Sequence, residues 1–284
     1  QSASKYHSEN GNIKAYVASA EELWWNTSSL GNPQAYSTGL TETSLASYMA
    51  RVNYTYADKY MLTASVRSDG ASQLSDGHKW ASFPSVALGW RIDQEKFMQK
   101  ADFISNLKLR LGYGISGNYA VSAYATQGAV QSNYYAWGSM DPTVGYLPSD
   151  ASAKNPNKMA NLDLGWEKTK QWNLGLDFGF INNRISGSVD YYHNKTTDLI
   201  LATTIPSLTG YTSTYANVGE TSGWGLDLQL NAIPVKTKDF EWNTSLTWTI
   251  DRNRVDKLNN GVKENVNDRL FVGEEIGVYY DYVY

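Results

Sequence analysis

The stretch Trp166–Phe180, WEKTKQWNLGLDFGF, decides the fold. Every second residue from Lys170 gives Lys170, Trp172, Leu174, Leu176, Phe178 and Phe180. The remainder are Glu167, Thr169, Gln171, Asn173, Gly175, Asp177 and Gly179. An extended strand sends alternate side chains to opposite faces, so one face here is apolar and the other polar. The same alternation recurs in NLKLRLGYGISGN (106–118), GWGLDLQLNA (223–232), EWNTSLTWTID (241–251) and ASYMARVNYTY (46–56). It recurs again in YMLTASVR and RISGSVDYYHN. Roughly eight such strands are expected, with EKFMQKADFISNL (95–107) as the one short helix candidate.

Connections between these strands fall into two kinds. YADKY (56–60), INNR (181–184) and PVKTKDF (234–240) are short, and DQEKFMQKADFISN is modest. Long ones run over 11–43, 69–80, 119–165, 196–217 and from about 253 onward. Short and long alternate along the chain. In an up-and-down meander this puts every short turn at one end and every long loop at the other, as in outer-membrane barrels. A β-sandwich has no reason to sort its loops in this way.

Burying the polar face in a dry core would cost about 1–3 kcal/mol for each unpaired group. That face is therefore wet or packed on polar protein, while the apolar face meets a second sheet or lipid. The polar positions carry Gly, Ser, Thr, Asn and Gln rather than Lys and Glu, which argues for a hydrated lumen. Asn173, Asp177, Asp227 and Gln229 are its candidate wall residues. Tyr54, Tyr56, Tyr60, Trp90, Phe178, Phe180 and Trp242 fall near strand ends by the short turns and suit an interfacial girdle facing lipid.

Composition narrows the alternatives. The 284-residue chain is 13% aromatic and 18% charged, with a net charge of −4. That balance disfavours a nucleic-acid binder. With no cysteine, zinc ribbons, disulfide scaffolds and thiol nucleophiles are excluded. No run approaches the roughly 20 apolar residues of a membrane helix, which leaves a spanning barrel open. His7, His78 and His193 share no metal spacing, and no pair of carboxylates stands out for acid–base work. GYGISG (112–117) matches a dinucleotide fingerprint formally, but no helix pattern follows it. No catalytic residue, metal site or cofactor is expected. Pro84 is placed at the first residues of a strand. Aromatic clusters in the long loops, Trp24 and Trp25 in ELWWN and Tyr134, Tyr135 and Trp137 in SNYYAWG, are candidate contacts for a ligand or a partner.

Several segments taken in order resemble one family. They are YMARVNYTYADKYMLTASVRSDGASQLSDGHKW, FPSVALGWRI, LKLRLGYGISGN, LGWEKTKQWNLGLDFGFINNRISGSVDYYHNKTTDLIL and YANVGETSGWGLDLQLNA. Together they resemble the barrel of SusC/RagA-type TonB-dependent outer-membrane transporters of the Bacteroidetes, over 43–284. The resemblance implies an all-β, transmembrane, antiparallel up-and-down barrel of 22 strands in its full form, closed by a plug. Residues 1–284 then form a partial barrel domain, with the plug and the TonB-contacting segment outside this chain. It also implies a SusD-like lipoprotein partner, TonB, outer-membrane localisation and an oligosaccharide cargo, with peptide as the other possibility. The loop DGASQLSDGHKW is most similar to the starch-system member, which points to malto-oligosaccharide. Leu74 stands where family members usually carry an aromatic, a departure that bears on the loop and its substrate. The alternative from the residues alone is a soluble or surface β-rich glycan-binding or adhesion module, with the apolar faces forming an inter-sheet core.

Overall fold

The computed structural model describes residues 1–16, 31–98, 100–135, 143–150, 158–206, 208, 210–266 and 268–280. Side chains are described for these except 13–16, 31–37, 128–135, 143–150 and 260. Sixteen strands follow in chain order. They are β1 Ser2–Tyr16, β2 Gly31–Tyr56, β3 Tyr60–Ala71, β4 Trp80–Arg91, β5 Ile104–Asn118, β6 Gly128–Tyr135, β7 Thr143–Asp150 and β8 Lys158–Met159, then β9 Glu167–Phe180, β10 Ile185–Thr197, β11 Ile200–Thr204, β12 Ser213–Asn217, β13 Glu220–Lys236, β14 Glu241–Lys257, β15 Glu264–Asn265 and β16 Leu270–Phe271.

Nine of them form one antiparallel sheet in the order β1-β2-β3-β4-β5-β9-β10-β13-β14. Each strand is hydrogen-bonded to the next one of the sheet in chain order, so the wall is a pure meander. Its strands from β3 to β14 are 12–17 residues long. Ordinary strands run to about 5–6 residues, and about 9–11 suffice to cross a bilayer. β1 and β14 are the edges of this wall, which stays open.

Register runs straight across the sheet and sorts the side chains as the sequence pattern requires. One row joins Tyr54, Leu62, Leu88, Leu111, Leu174, Tyr191, Leu226 and Ile250. The adjacent row, on the opposite face, joins Asn53, Thr63, Ala87, Gly112, Asn173, Tyr192, Gly225 and Asp251. Among the described residues no second layer covers the apolar face: Leu174 is 44% exposed, Leu246 54% and Trp248 48%. A folded monomer of 31.7 kDa exposes roughly 12,000 Å², yet this chain exposes 19979 Å². A soluble module with an inter-sheet core is therefore not what the chain builds.

Three expectations are corrected. Among its described residues the segment 95–107 holds no α-helix; it makes one single-turn 3-10 helix, Lys96–Met98, just after another at Ile92–Gln94, before β5 begins at Ile104. Glu95 ties this turn down, because its carboxylate accepts hydrogen bonds from the side chains of Tyr60, Lys59 and Trp90. The connection 11–43 is mostly strand, since β1 and β2 pair from Ser2–Ser47 outward to Tyr16–Gly31. The connection 119–165 contains a hairpin of its own, β6 with β7. Polar strands that project past a membrane carry no apolar alternation, so the pattern could not reveal them. Pro84 lies inside β4, opposite Val66. Pairing of β4 with β5 begins only at Ser85, so the missing N–H leaves no ladder bond unmade.

The tight turns use left-handed backbone at Ala57 and Asp58 and at Ile181, Asn182 and Asn183. Asn tolerates that region; Ala57 and Ile181 do so at a cost.

Candidate functional site

The polar face of the wall is where chemistry can act. Asn173, Asp177, Asp227 and Gln229 all lie on it. Asp177 stands opposite Lys108 and Ser188, Gln229 opposite Ser188 and Thr247, and Asp227 opposite Asp190 and Thr249. Hydroxyls and amides pair across neighbouring strands, as in Thr63 to Asn53, Ser65 with Ser85, Thr169 with Thr196 and Ser245 to Asn231.

Two longer links span three strands each, and sequence reasoning did not anticipate them. Arg110 on β5 donates from Nε and Nη2 to both oxygens of Asp177 on β9, at 2.9 and 2.8 Å. Its Nη2 also reaches Asp190 on β10 at 2.9 Å. It can do so because Gly175 lies between them: a Cβ there would overlap the Asp190 carboxylate and the guanidinium. Tyr192 on β10 likewise lies across Gly225 on β13 to donate to Asp251 on β14 at 2.9 Å. A glycine directly opposite a long polar residue, with an acid one strand further, is the signal that would have found both. These links hold the polar face rigid and leave it half-buried rather than filled. Beside them Ser85, Ala87, Gly112 and Gly114 open a shallow trough of about 350 Å³ that reaches Gln171 and Asn173. The formal GYGISG fingerprint is thus plain strand, with its first two glycines lining this trough.

The aromatic residues form two oblique bands on the other face. Tyr54, Tyr56, Tyr60, Trp90, Phe178, Phe180 and Trp242 make the band near the short turns, with Tyr56 stacked on Tyr60 and Phe178 against Phe180. A second band was not foreseen as a ring: Tyr48 stacks on Trp80, and Trp172 packs on Tyr191 and His193, with Trp224 next to Tyr191. Tyr48 and Tyr56 are eight residues apart on one strand. That is roughly 27 Å of strand at about 3.4 Å per residue, or roughly 20 Å of height at a tilt of about 40°, close to the apolar belt of an outer-membrane barrel. The tilt displaces successive aromatics along the strands, which hides the ring in a linear sequence.

Above the second band the long loops are welded together. Leu74, Phe83, Ala71 and Trp166 form a buried cluster with Leu45, Ile115 and Tyr119 packed on it. Ser75 exchanges hydrogen bonds with Leu164 and donates from its hydroxyl to the Asn161 carbonyl. Trp166 donates to the Lys79 carbonyl, and Asn217 bridges Gly165 and Asp198. Leu74, only 1% exposed, is part of this packing. Position 74 therefore acts on loop packing and not on an exposed contact. Of the loop aromatics, Trp24, Trp25 and Trp137 lie outside the described residues. Tyr134 and Tyr135 lie on β6, opposite Val144 and Thr143, and their side chains are outside the described set.

The sequence matches the family described as TonB dependent receptor-like, beta-barrel over residues 7–281. The chain belongs to that family. TonB-dependent receptor SusC of Bacteroides thetaiotaomicron is 39% identical over 225 residues, covering 78% of this chain and 22% of the relative. TonB-dependent receptor P26 of Formosa agariphila is 38% identical over 247 residues, covering 83% of this chain and 24% of the relative. Among solved structures, the RagAB peptide importer in its open-open state superposes with a TM-score of 0.78 at 27% identity, over 96% of this chain and 29% of that one. The chain spans about a quarter of the length of these relatives. It is a SusC/RagA-type stretch of outer-membrane β-barrel, and its relatives are receptors and a transporter rather than enzymes.

Proposed function

We propose that these nine strands are one side of a plugged barrel that imports oligosaccharide across the outer membrane, working with a SusD-like lipoprotein and energised through TonB. The carrying observation is the sheet with one polar face and one uncovered apolar face, the latter between two aromatic bands. The polar face, with Asn173, Asp177, Asp227 and Gln229, lines the lumen. The face with Tyr54, Tyr56, Trp90, Phe178, Phe180 and Trp242 meets lipid. The chain's part in import is mechanical: strands crosslinked by Arg110 and Tyr192 form a rigid, wetted wall, and no bond is broken. The welded loops, together with Trp24, Trp25, Tyr134, Tyr135 and Trp137, meet cargo or the lipoprotein.

Malto-oligosaccharide is the proposed cargo. The resemblance of the 69–80 loop to the starch-system receptor and the 39% identity to SusC support it. So does a polar face dominated by neutral amides and hydroxyls, which match sugar hydroxyls and leave few unpaired charges for peptide termini. The peptide reading rests on the structural likeness to the RagAB importer. Calorimetric titration of the full-length receptor with its lipoprotein distinguishes them. Binding of maltoheptaose and not of mixed oligopeptides is expected; the reverse result overturns the sugar assignment.

A further inference from the structure

The face that meets lipid changes character directly above the second aromatic band. Trp172, His193 and Trp224 share one register row. The next outward row holds Lys170, Lys195, Ser222 and Arg254, and Lys168 follows Lys170 at the next outward position of β9. At the opposite end of the same two strands the last outward residues are Phe180 and Ile185, so the cations belong to the loop end alone.

Two features of this basic patch are not explained by protein contacts. Lys170 and Lys195 are direct register partners, and like charges directly opposite on neighbouring strands destabilise a sheet. Lys195 turns away to Glu220, at 2.7 Å, and Arg254 to Asp256, at 2.9 Å. Lys168 and Lys170 are exposed and have no acidic partner among the described residues. The inner face at the same height carries Gln171 and Asn194 instead, so the cations are confined to the side that faces the bilayer. Aromatic rings at head-group level below, and cations one step above, match a lipid whose head-group bears phosphate.

We propose that Lys168 and Lys170, beside the paired Lys195, seat the phosphate of an anionic lipid in the outer leaflet, its acyl chains lying over Trp172 and Leu174. The phosphate relieves the Lys170–Lys195 repulsion and fixes the receptor's height in the membrane. This rests on the lipid-facing assignment made above. The test uses the full-length receptor in detergent, with phosphatidic acid and phosphatidylcholine as probes and bound lipid counted by native mass spectrometry. Phosphatidic acid retention should fall roughly thirtyfold in the K168Q/K170Q variant, at about 1 kcal/mol for each of the two cations removed. Phosphatidylcholine retention should not change, and K168R/K170R should behave as the parent. Equal retention of phosphatidic acid by parent and K168Q/K170Q overturns the proposal. So does complete displacement by inorganic phosphate, which would make the patch a simple anion site. Leu174→Arg run in parallel separates the two levels. If it destabilises the barrel while retention is indifferent to the lysines, the facing assignment stands and the lipid seat falls.

Discussion

The loop end and the strand wall of this chain are stabilised in opposite ways. Every buried hydrophobic residue among the described ones, Ala71, Leu74, Phe83, Ala125, Leu164, Trp166, Val255 and Leu258, belongs to the loop end. The middle of the wall has none, although Leu, Val, Tyr and Trp fill its apolar rows. In the loops, protein covers protein, and close packing contributes as in any soluble core. In the wall no described residue supplies that covering; on the proposed lipid-facing reading hydrocarbon does, and the wall's apolar residues contribute only when the membrane is present. Removing a large side chain should therefore injure the loops, and adding a charge should injure the wall.

The largest expected effect tests the loop half. Trp166 is 5% exposed, packs edge-on against Phe83 and Tyr119 at 5.2 and 5.1 Å, and donates a hydrogen bond to Lys79. Trp166→Ala should cost about 3–5 kcal/mol of local stability. Limited trypsin digestion should then cut at Lys79 and Lys168, while the full-length barrel keeps its heat-modifiable gel mobility. Loss of that mobility would show that wall and loops are one cooperative unit, and the contrast would be void.

The wall half is tested by charge. Leu174→Arg or Leu228→Arg, on the apolar face, should cost roughly 2–4 kcal/mol near the bilayer midplane, read from urea unfolding in lipid vesicles. Asn173→Arg or Gln229→Arg, one residue away on the same strands, should leave unfolding nearly unchanged and alter uptake. Similar costs from both pairs would mean that the two faces see the same environment.

How much of this was legible follows from what each feature depends on. The wall was readable because period-two alternation is a local property, and Leu174 and Asn173 declare their faces within a few residues. The sorting of loops was readable from connection length alone. The second aromatic band was not, because Tyr48, Trp80, Trp172 and Trp224 are far apart in sequence and come together only once the neighbouring strands are known. The loop weld was not either: Ser75, Asn161 and Asn217 are distant in sequence and polar, and nothing local marks them as buried partners. The links through Arg110 and Tyr192 fall between these cases. Gly175 and Asp177 were read onto the polar face, but reach across a glycine requires knowing which strands are neighbours, and β5 adjoins β9 only after a 48-residue excursion (119–166).

Those links give a third, smaller contrast, now within the wall. Arg110→Ala strands Asp177 and Asp190 without their shared cation. It should cost about 1–3 kcal/mol as a charge-assisted, half-buried network is lost. Gly175→Ala keeps all three charges but places a methyl where the guanidinium crosses, so it should recover part of the same loss. If Gly175→Ala is neutral while Arg110→Ala is costly, Arg110 reaches its acids by another route and the glycine bridge is not what holds β5 to β10.

The smallest effect sits at the short-turn end and depends on pH. Hydrogen bonds from Tyr60, Lys59 and Trp90 hold the Glu95 carboxyl below the ordinary glutamate range. A carboxylate whose folded value is lowered contributes fully above its unfolded value, about 4.3, and loses that contribution as pH falls through the lowered value. The clasp should thus be intact at neutral pH and release progressively in acid, below about pH 4. Glu95→Gln should remove the dependence at this turn without disturbing the loop weld, which Glu95 does not touch. Trp90 reports on it, since its indole N–H donates to Glu95 at 3.2 Å. A single-tryptophan receptor retaining Trp90 should show an acid transition in emission that Glu95→Gln abolishes. A transition that survives the substitution would place the acid-sensitive group elsewhere.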